Sequence, residues 1–446
     1  MKTRDGRKSS LNSPGRAGAF LALYCTLLSP PTPAAPRTVV EQISTLIENN
    51  YFDATRAQSI AKNLRDANHA GRFDALTDPR DLAASLTARL QPLDHHFYVR
   101  WSSPEAPKSA RASADAEGPP LSLDTLERRN AYGFRTVAML PGAIGYIDMR
   151  SFADFSFNKP NEPARKAVEA ALTLVSNADA VIIDLRNNAG GSPTMVGYLV
   201  SAFTPPSANI YNEFHHRDRS DSERPKESYP NPRLNVPLYI LISGRTASAA
   251  ESLAYTLQSV KRATLVGAVT GGAAHPGGEF PAGDDFFVFI STSTTVNPMT
   301  GANWEGGGVK PDVMVDSARA LERAEMLALE NILKSNPSEA AAVETRWTLE
   351  ALQAEASPPK GPPLADYVGT YAGAEISTEN GTLALRRGRR PAWTLVRIRN
   401  DVFCVKDEPF RRVLFERDKT DRRITRFQLV RAGSASIWFR KVNTAT

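Results

Sequence analysis

Two apolar runs, each ending in a turn of small residues just before a helical pattern, constrain this chain more than any other feature. Residues 180–185 (Ala-Val-Ile-Ile-Asp-Leu) lead into the turn Asn187, Asn188, Ala189, Gly190, Gly191. Residues 236–242 end in Leu241 and Ile242 and lead through Ser243, Gly244, Arg245, Thr246 and Ala247 to Ser248 and an Ala-rich helical run. Short apolar runs bounded by turn residues read as buried strands. A further strand is expected over 144–149, and a helix over 163–175 with Pro163 in its first turn. Such alternation predicts an α/β core across about 129–335. The polar stretch 204–235 inside it is long for a loop, and reads as an excursion over a site or a mobile segment.

The flanks differ in character. At 446 residues the chain has room for two or three folded units, and its 41% apolar and 23% charged residues are ordinary for a globular protein. Lys2, Arg4, Arg7, Lys8 and Arg16 precede the apolar run 17–28, and Ala34 and Ala35 follow a Pro-rich stretch. That order predicts a secretory signal over 1–35, too short to span a bilayer, and hence an exported, periplasmic or extracellular protein. Tyr24 stands before Cys25 where a lipoprotein signal wants a small residue, which argues against lipidation. Residues 36–102 have helical periodicity: Val39, Ile43, Leu46 and Ile47 share one face, and Asp78-Pro79 opens a second helix bearing Leu82, Leu86 and Leu90. Residues 103–128 read as a linker and 336–363 as a helix followed by a Pro-rich hinge. Residues 364–446 read as a small antiparallel β module, with Cys404 on an alternating strand and so in its core. That module holds seventeen basic and nine acidic residues, but they alternate with apolar ones, as on a solvated sheet face. No nucleic acid partner is expected. With two cysteines, no CxxC and no HExxH, neither a disulfide, a metal nor a cofactor is expected.

The candidate chemistry centres on Ser248. A serine where a strand turns into a helix exposes its hydroxyl at the sheet edge, and the unpaired N–H of Ala249 can donate to an oxyanion there. Alternatively, Ser248 is only a helix cap. Adjacent Gly190 and Gly191 let backbone N–H groups approach a ligand and offer a second donor. A serine needs a base. His69, His215 and His216 lie among polar residues and read as surface; His275 lies in a Gly-rich loop that could border a pocket. His96 follows Asp94 and His95; on a strand, Asp94 and His96 would share a face and the carboxylate could fix the imidazole tautomer. Glu305, between Trp304 and Gly306-Gly307-Gly308, could orient a base or cap a turn.

Taken in order, Asp94-His95-His96-Phe97, the 184–191 turn, Thr246 to Glu251 and Trp304 to Asp312 resemble the C-terminal processing peptidase superfamily. The branch is the bacterial one similar to interphotoreceptor retinoid-binding protein and the tricorn core. The resemblance implies an α/β, crotonase-like (ClpP/crotonase-type) core behind an N-terminal helical bundle. It implies Ser248 as nucleophile, Ala249 and the Gly190-Gly191 turn as oxyanion donors, His96 as base and Glu305 as its acidic partner. The lysine that Ser-Lys relatives carry 25 residues after the nucleophile is Ala273 here, which favours the histidine. The serine preceding the histidine in the tricorn branch is His95, so Asp94 and His95 are alternative orienters. The stretch from His96 to Tyr132 is too short for a PDZ module. A serine hydrolase acting on peptides or proteins is expected. A non-catalytic binder of apolar ligands on the same scaffold is the alternative, and another ester or amide substrate is a third reading.

Overall fold

The structure, a computed structural model, describes residues 36–102, 122–159 and 161–442. The expected signal with Cys25, and most of the expected linker, lie outside the described residues. Among those described, no helix is long and apolar enough to cross a membrane.

Three helices open the described chain: α1 (Pro36–Asn50), α2 (Ala54–His69) and α3 (Pro79–Leu90). Asp53 and Asp78 cap the second and third, accepting from the Arg56 and Arg80 N–H groups, as Asp does at a helix start. Strand β1 (Tyr98–Trp101) follows. Residues 94–97 form a turn and not the strand considered from sequence; Asp94 Oδ1 accepts from the His96 N–H at 2.9 Å.

After α4 (Leu123–Arg129) come β2 (Phe134–Leu140), β3 (Ile144–Met149), α5 (Pro163–Leu174), β4 (Ala180–Asp184) and α6 (Pro193–Ser201). The long polar stretch is neither formless nor all loop: it carries a hairpin of β5 (Glu213–His215) and β6 (Ser220–Ser222). Next are β7 (Leu238–Ile242), α7 (Ala249–Ser259), β8 (Thr264–Gly267), β9 (Gly277–Pro281), β10 (Phe286–Ser291), β11 (Thr294–Val296) and β12 (Val313–Met314). The central sheet runs β12-β8-β7-β4-β3-β2, parallel except for β2. Strands buried on both faces explain the apolar runs. Val181, Ile183, Ile240 and Ile242 pack one face against Val168, Met195, Leu199, Leu253 and Leu257 of α5, α6 and α7. Ile182, Tyr239, Leu241 and Val266 pack the other against α8 (Ala320–Lys334).

The N-terminal helices do not close a core alone. Strand β1 pairs with β10, which pairs with β9, and Phe286, Val288 and Ile290 join Val39, Ile43, Leu64 and Leu86 in one buried cluster. The long polar stretch is itself tied to α7 by a polar network: buried Asn212 donates to Ser252 Oγ (2.7 Å) and Thr256 Oγ1 (2.9 Å), and Ser252 donates to Glu223. Burial pushes the Glu223 carboxyl up to about 7.

Beyond α9 (Glu339–Ala356) lie β13 (Gly369–Tyr371), β14 (Ala374–Glu379), β15 (Thr382–Arg386), β16 (Trp393–Arg399), β17 (Val402–Val405), β18 (Glu408–Arg417), β19 (Ile424–Arg431) and β20 (Ile437–Arg440). Each pairs antiparallel with the next, and the ends meet: Ala372 N donates to Arg440 O, and Val442 N to Thr370 O, both at 2.8 Å. Tyr367, Tyr371, Phe403, Phe415, Phe427 and Phe439 fill the interior. Cys404 is buried beneath Ala351 and Ala354 of α9, and burial pushes its thiol up to about 11, the inert state of a core cysteine.

Candidate active site

Strands β4 and β7 are parallel neighbours, so their carboxyl ends open on the same edge, where α/β sheets hold ligands. The turn after β4 carries Gly190 and Gly191; the turn after β7 carries Ser248. Ala247 N donates to Asn188 O at 3.1 Å and ties the two together. A Cβ on Gly190, whose φ is +116°, would lie 2.9 Å from Ser248 Cβ and 3.1 Å from Ala249 N. Only glycine lets the two turns approach this closely.

Ser248 has φ 53° and ψ −123°, and Ala250 N donates to Ala247 O at 3.1 Å. These are the features of a type II′ turn with Ser248 at its first central position, ordinarily a glycine site. A plain N-cap keeps extended backbone, so capping does not account for this conformation. Ala249, the first residue of α7, has an N–H beyond the helix's own bonding, at the positive end of its dipole. The Gly190 N–H donates to Asn188 Oδ1 at 2.8 Å and is committed to its own turn. Among the described residues the Gly191 N–H makes no hydrogen bond, so of the two expected glycine donors it is the one left over.

Glu251 stands three residues after Ser248, and Ser-x-x-Glu spacing at a helix start is the signal by which its role is legible in the sequence. Its carboxylate is fully buried. It accepts from the Ser248 N–H (2.8 Å), the Thr270 hydroxyl, the Gly272 N–H (2.7 Å) and the Ala273 N–H (2.8 Å). The very next amide, Ala274 N–H, donates to Glu305 Oε2 at 2.7 Å. Two carboxylates thus clamp consecutive peptides, and the 270–274 segment links the serine turn to Glu305.

Glu305 Oε2 lies 3.3 Å from His96 Nε2. Burial opposes charging of the His96 ring, but the Glu305 hydrogen bond and the Glu305, Asp94 and Glu251 charges outweigh it and raise its pKa. Burial likewise works against the Glu305 and Asp94 carboxylates. Bonds from His96 and Ala274 hold Glu305 below its usual range, and bonds from His275 and the His96 amide hold Asp94 well below its own. Asp94 does not reach the His96 ring in the way considered from sequence. Its Oδ2 accepts from Ser291 Oγ (3.0 Å) and faces His275 Nδ1 (3.4 Å). His95 is exposed. His275, read only as bordering a pocket, belongs to the cluster: its ring stands 5.9 Å from that of His96 and 4.8 Å from that of Phe52. Phe289 covers His96 at 6.3 Å. Ala273, the position of the lysine in Ser-Lys relatives, gives only backbone to Glu251 and Trp304.

Residues 143–315 match the peptidase family S41, and residues 32–132 match the N-terminal domain of peptidase S41 in eukaryotic IRBP. A carboxy-terminal-processing protease of Bartonella bacilliformis is 26% identical over 175 residues, 39% of this chain and 39% of that protein. A carboxyl-terminal-processing protease of Synechocystis is 27% identical over 177 residues, 40% of this chain and 39% of its own. The chain thus spans about two fifths of the length of these curated relatives. Among solved structures, a lipoprotein from Streptococcus agalactiae superposes with a TM-score of 0.44 at 14% identity, covering 67% of this chain and 97% of that one. The tricorn protease gives 0.44 at 12% identity, covering 68% and 37%. Along residues 32–315 the chain is therefore similar, as its motifs predict, to the peptidase family S41 and the N-terminal domain found with it, and to the carboxyl-terminal-processing proteases.

Proposed function

We propose that this chain is an exported serine peptidase that works through an acyl-enzyme on Ser248, on a crotonase-like core spanning about 129–335. The observation that carries the reading is the II′ backbone of Ser248, held at a shared sheet edge against the Gly190-Gly191 turn. Backbone strain of this kind persists only where surrounding structure enforces it, and it collects at working sites. The supporting kinship is to proteases.

In this mechanism Ser248 Oγ attacks the scissile carbonyl and passes its proton to His96. Because Nε2 faces Glu305, the lone pair that takes the proton is on Nδ1, and Glu305 stabilises the resulting imidazolium. The Ala249 and Gly191 N–H groups receive the oxyanion, each donor lowering the barrier by about 3–4 kcal/mol. His96 then protonates the leaving amine, and water reverses the sequence to release the acid. A cleft of about 390 Å³ at the start of α6, a few residues along the chain from the Gly190-Gly191 turn and lined by Phe155, Phe157, Pro193, Arg224 and Lys226, is large enough to take substrate side chains. No cofactor enters any step.

A fluorophosphonate probe tests this on the full chain. Wild type should be labelled once, at Ser248 by peptide mass mapping. Ser248→Ala should not label, and His96→Ala should label far more slowly. Equal labelling of wild type and Ser248→Ala would end the proposal.

A further inference from the structure

A serine relay uses one imidazole and one carboxylate, yet this cluster holds two of each. One ligand atom from each of Asp94, His96, His275 and Glu305 lies within 4.8 Å of all the others. Four donors around a tetrahedral zinc ion, at bond lengths of about 2.0–2.1 Å, stand about 3.3–3.4 Å apart. Here His96 Nε2 is 3.3 Å from Glu305 Oε2, and His275 Nδ1 is 3.4 Å from Asp94 Oδ2 and 3.8 Å from Glu305 Oε2. Two of these pairs already sit at the tetrahedral edge, and the remaining donors, all within 4.8 Å, close to it by contraction about a common centre. The donors are also oriented from outside: Asp94 by the His96 amide and Ser291 Oγ, Glu305 by the Ala274 amide. Phe52 and Phe289 form apolar walls. Such outer partners and a dry shell are what fix metal ligands. Two imidazoles with two carboxylates suit zinc and its neighbours, not calcium or magnesium, which take oxygen alone.

We infer that Asp94, His96, His275 and Glu305 form a site for a zinc-type divalent cation, and that its occupancy switches the serine off. The second half rests on the function proposed above. A cation on His96 Nε2 displaces the Glu305 contact and leaves the remaining ring proton on Nδ1. The imidazole then has no lone pair for the Ser248 proton. The ligands come from three distant segments, which is why no local spacing such as HExxH announces them.

The test begins with full-length Ser248→Ala, in which serine chemistry is absent, titrated with Co²⁺ and then Zn²⁺. One Co²⁺ per chain with the intense visible absorption of tetrahedral coordination, displaced by Zn²⁺, is expected. Adding His275→Ala, or separately Asp94→Asn, should weaken Zn²⁺ binding by about a hundredfold. In wild type, Zn²⁺ should slow fluorophosphonate labelling and EDTA should restore it. A weak octahedral Co²⁺ spectrum in the parent, or Zn²⁺ affinity unchanged in both added variants, would overturn the site. Tight Co²⁺ binding with labelling indifferent to Zn²⁺ would overturn the switch. Failure of wild type to label at all strikes the peptidase reading instead, and the Co²⁺ titration still decides the site.

Discussion

Replacing Ser248 with glycine should stabilise the fold, and replacing it with alanine should not. At φ 53° and ψ −123° the native serine occupies backbone space that suits glycine. Such a conformation costs about 1–3 kcal/mol for a residue with a Cβ. Alanine keeps the Cβ and therefore the strain; glycine removes it. Against that gain, glycine adds about 0.5–1 kcal/mol of unfolded-state entropy to be lost. The net advantage of Ser248→Gly over Ser248→Ala is then about 0–2.5 kcal/mol, centred near 1 kcal/mol. For a cooperative unit of roughly 150–250 residues, a gain near 1 kcal/mol raises the midpoint by about 2–4 °C. Any loss of hydroxyl contacts is common to both variants and cancels between them. Differential scanning calorimetry of the two proteins side by side reads the difference, and neither should react with the probe. If Ser248→Gly melts at or below Ser248→Ala, the serine is not strained and the main structural support for its role as nucleophile is gone.

Gly190→Ala should cut probe labelling by about a hundredfold, because its Cβ would push on Ser248 and the Ala249 amide; an unchanged rate would mean that the two turns do not act together. Glu251→Gln puts an amide NH₂ among three N–H donors and a hydroxyl, and should cost about 2–3 kcal/mol in urea unfolding while slowing labelling. Glu223 supplies a pH signature. Its pKa, raised to about 7 in the fold, makes the folded state bind the extra proton, so the stability that Glu223 contributes is fully present below pH 4.5 and is lost as pH rises through 7. Glu223→Gln removes that slope, so wild type minus variant stability should fall by about 3 kcal/mol between pH 4.5 and 8. A flat difference would refute it.

The core was legible because its strands are apolar on both faces and its turns carry glycine: β3, β4, β7, α5 and the start of α7 lie where the pattern places them. So do strands of the C-terminal sheet, β17 with Cys404 among them, although nothing in the pattern announces the short β13 and β14. What sequence could not give was convergence. Asp94, His275 and Glu305 meet because β10 returns to pair with β1, a contact between residues almost 200 positions apart that no local periodicity encodes. The role of Glu251 could have been read from its spacing to Ser248. The pattern at 94–97 leaves a strand and a turn both open, and the turn is what forms.

The pairing of β1 with β10 also bears on what a single cut would do. The segment 103–121 lies between β1 and the central sheet along the chain, yet the piece that ends at β1 is zipped through four residue pairs into a hairpin that belongs to the other side of the cut. Phe97, Val99, Phe286 and Val288 would stay interlocked with the three leading helices. Proteolysis there should therefore yield two fragments that elute together and retain the imidazole at position 96 opposite its carboxylate. Only denaturant, not scission, should part them.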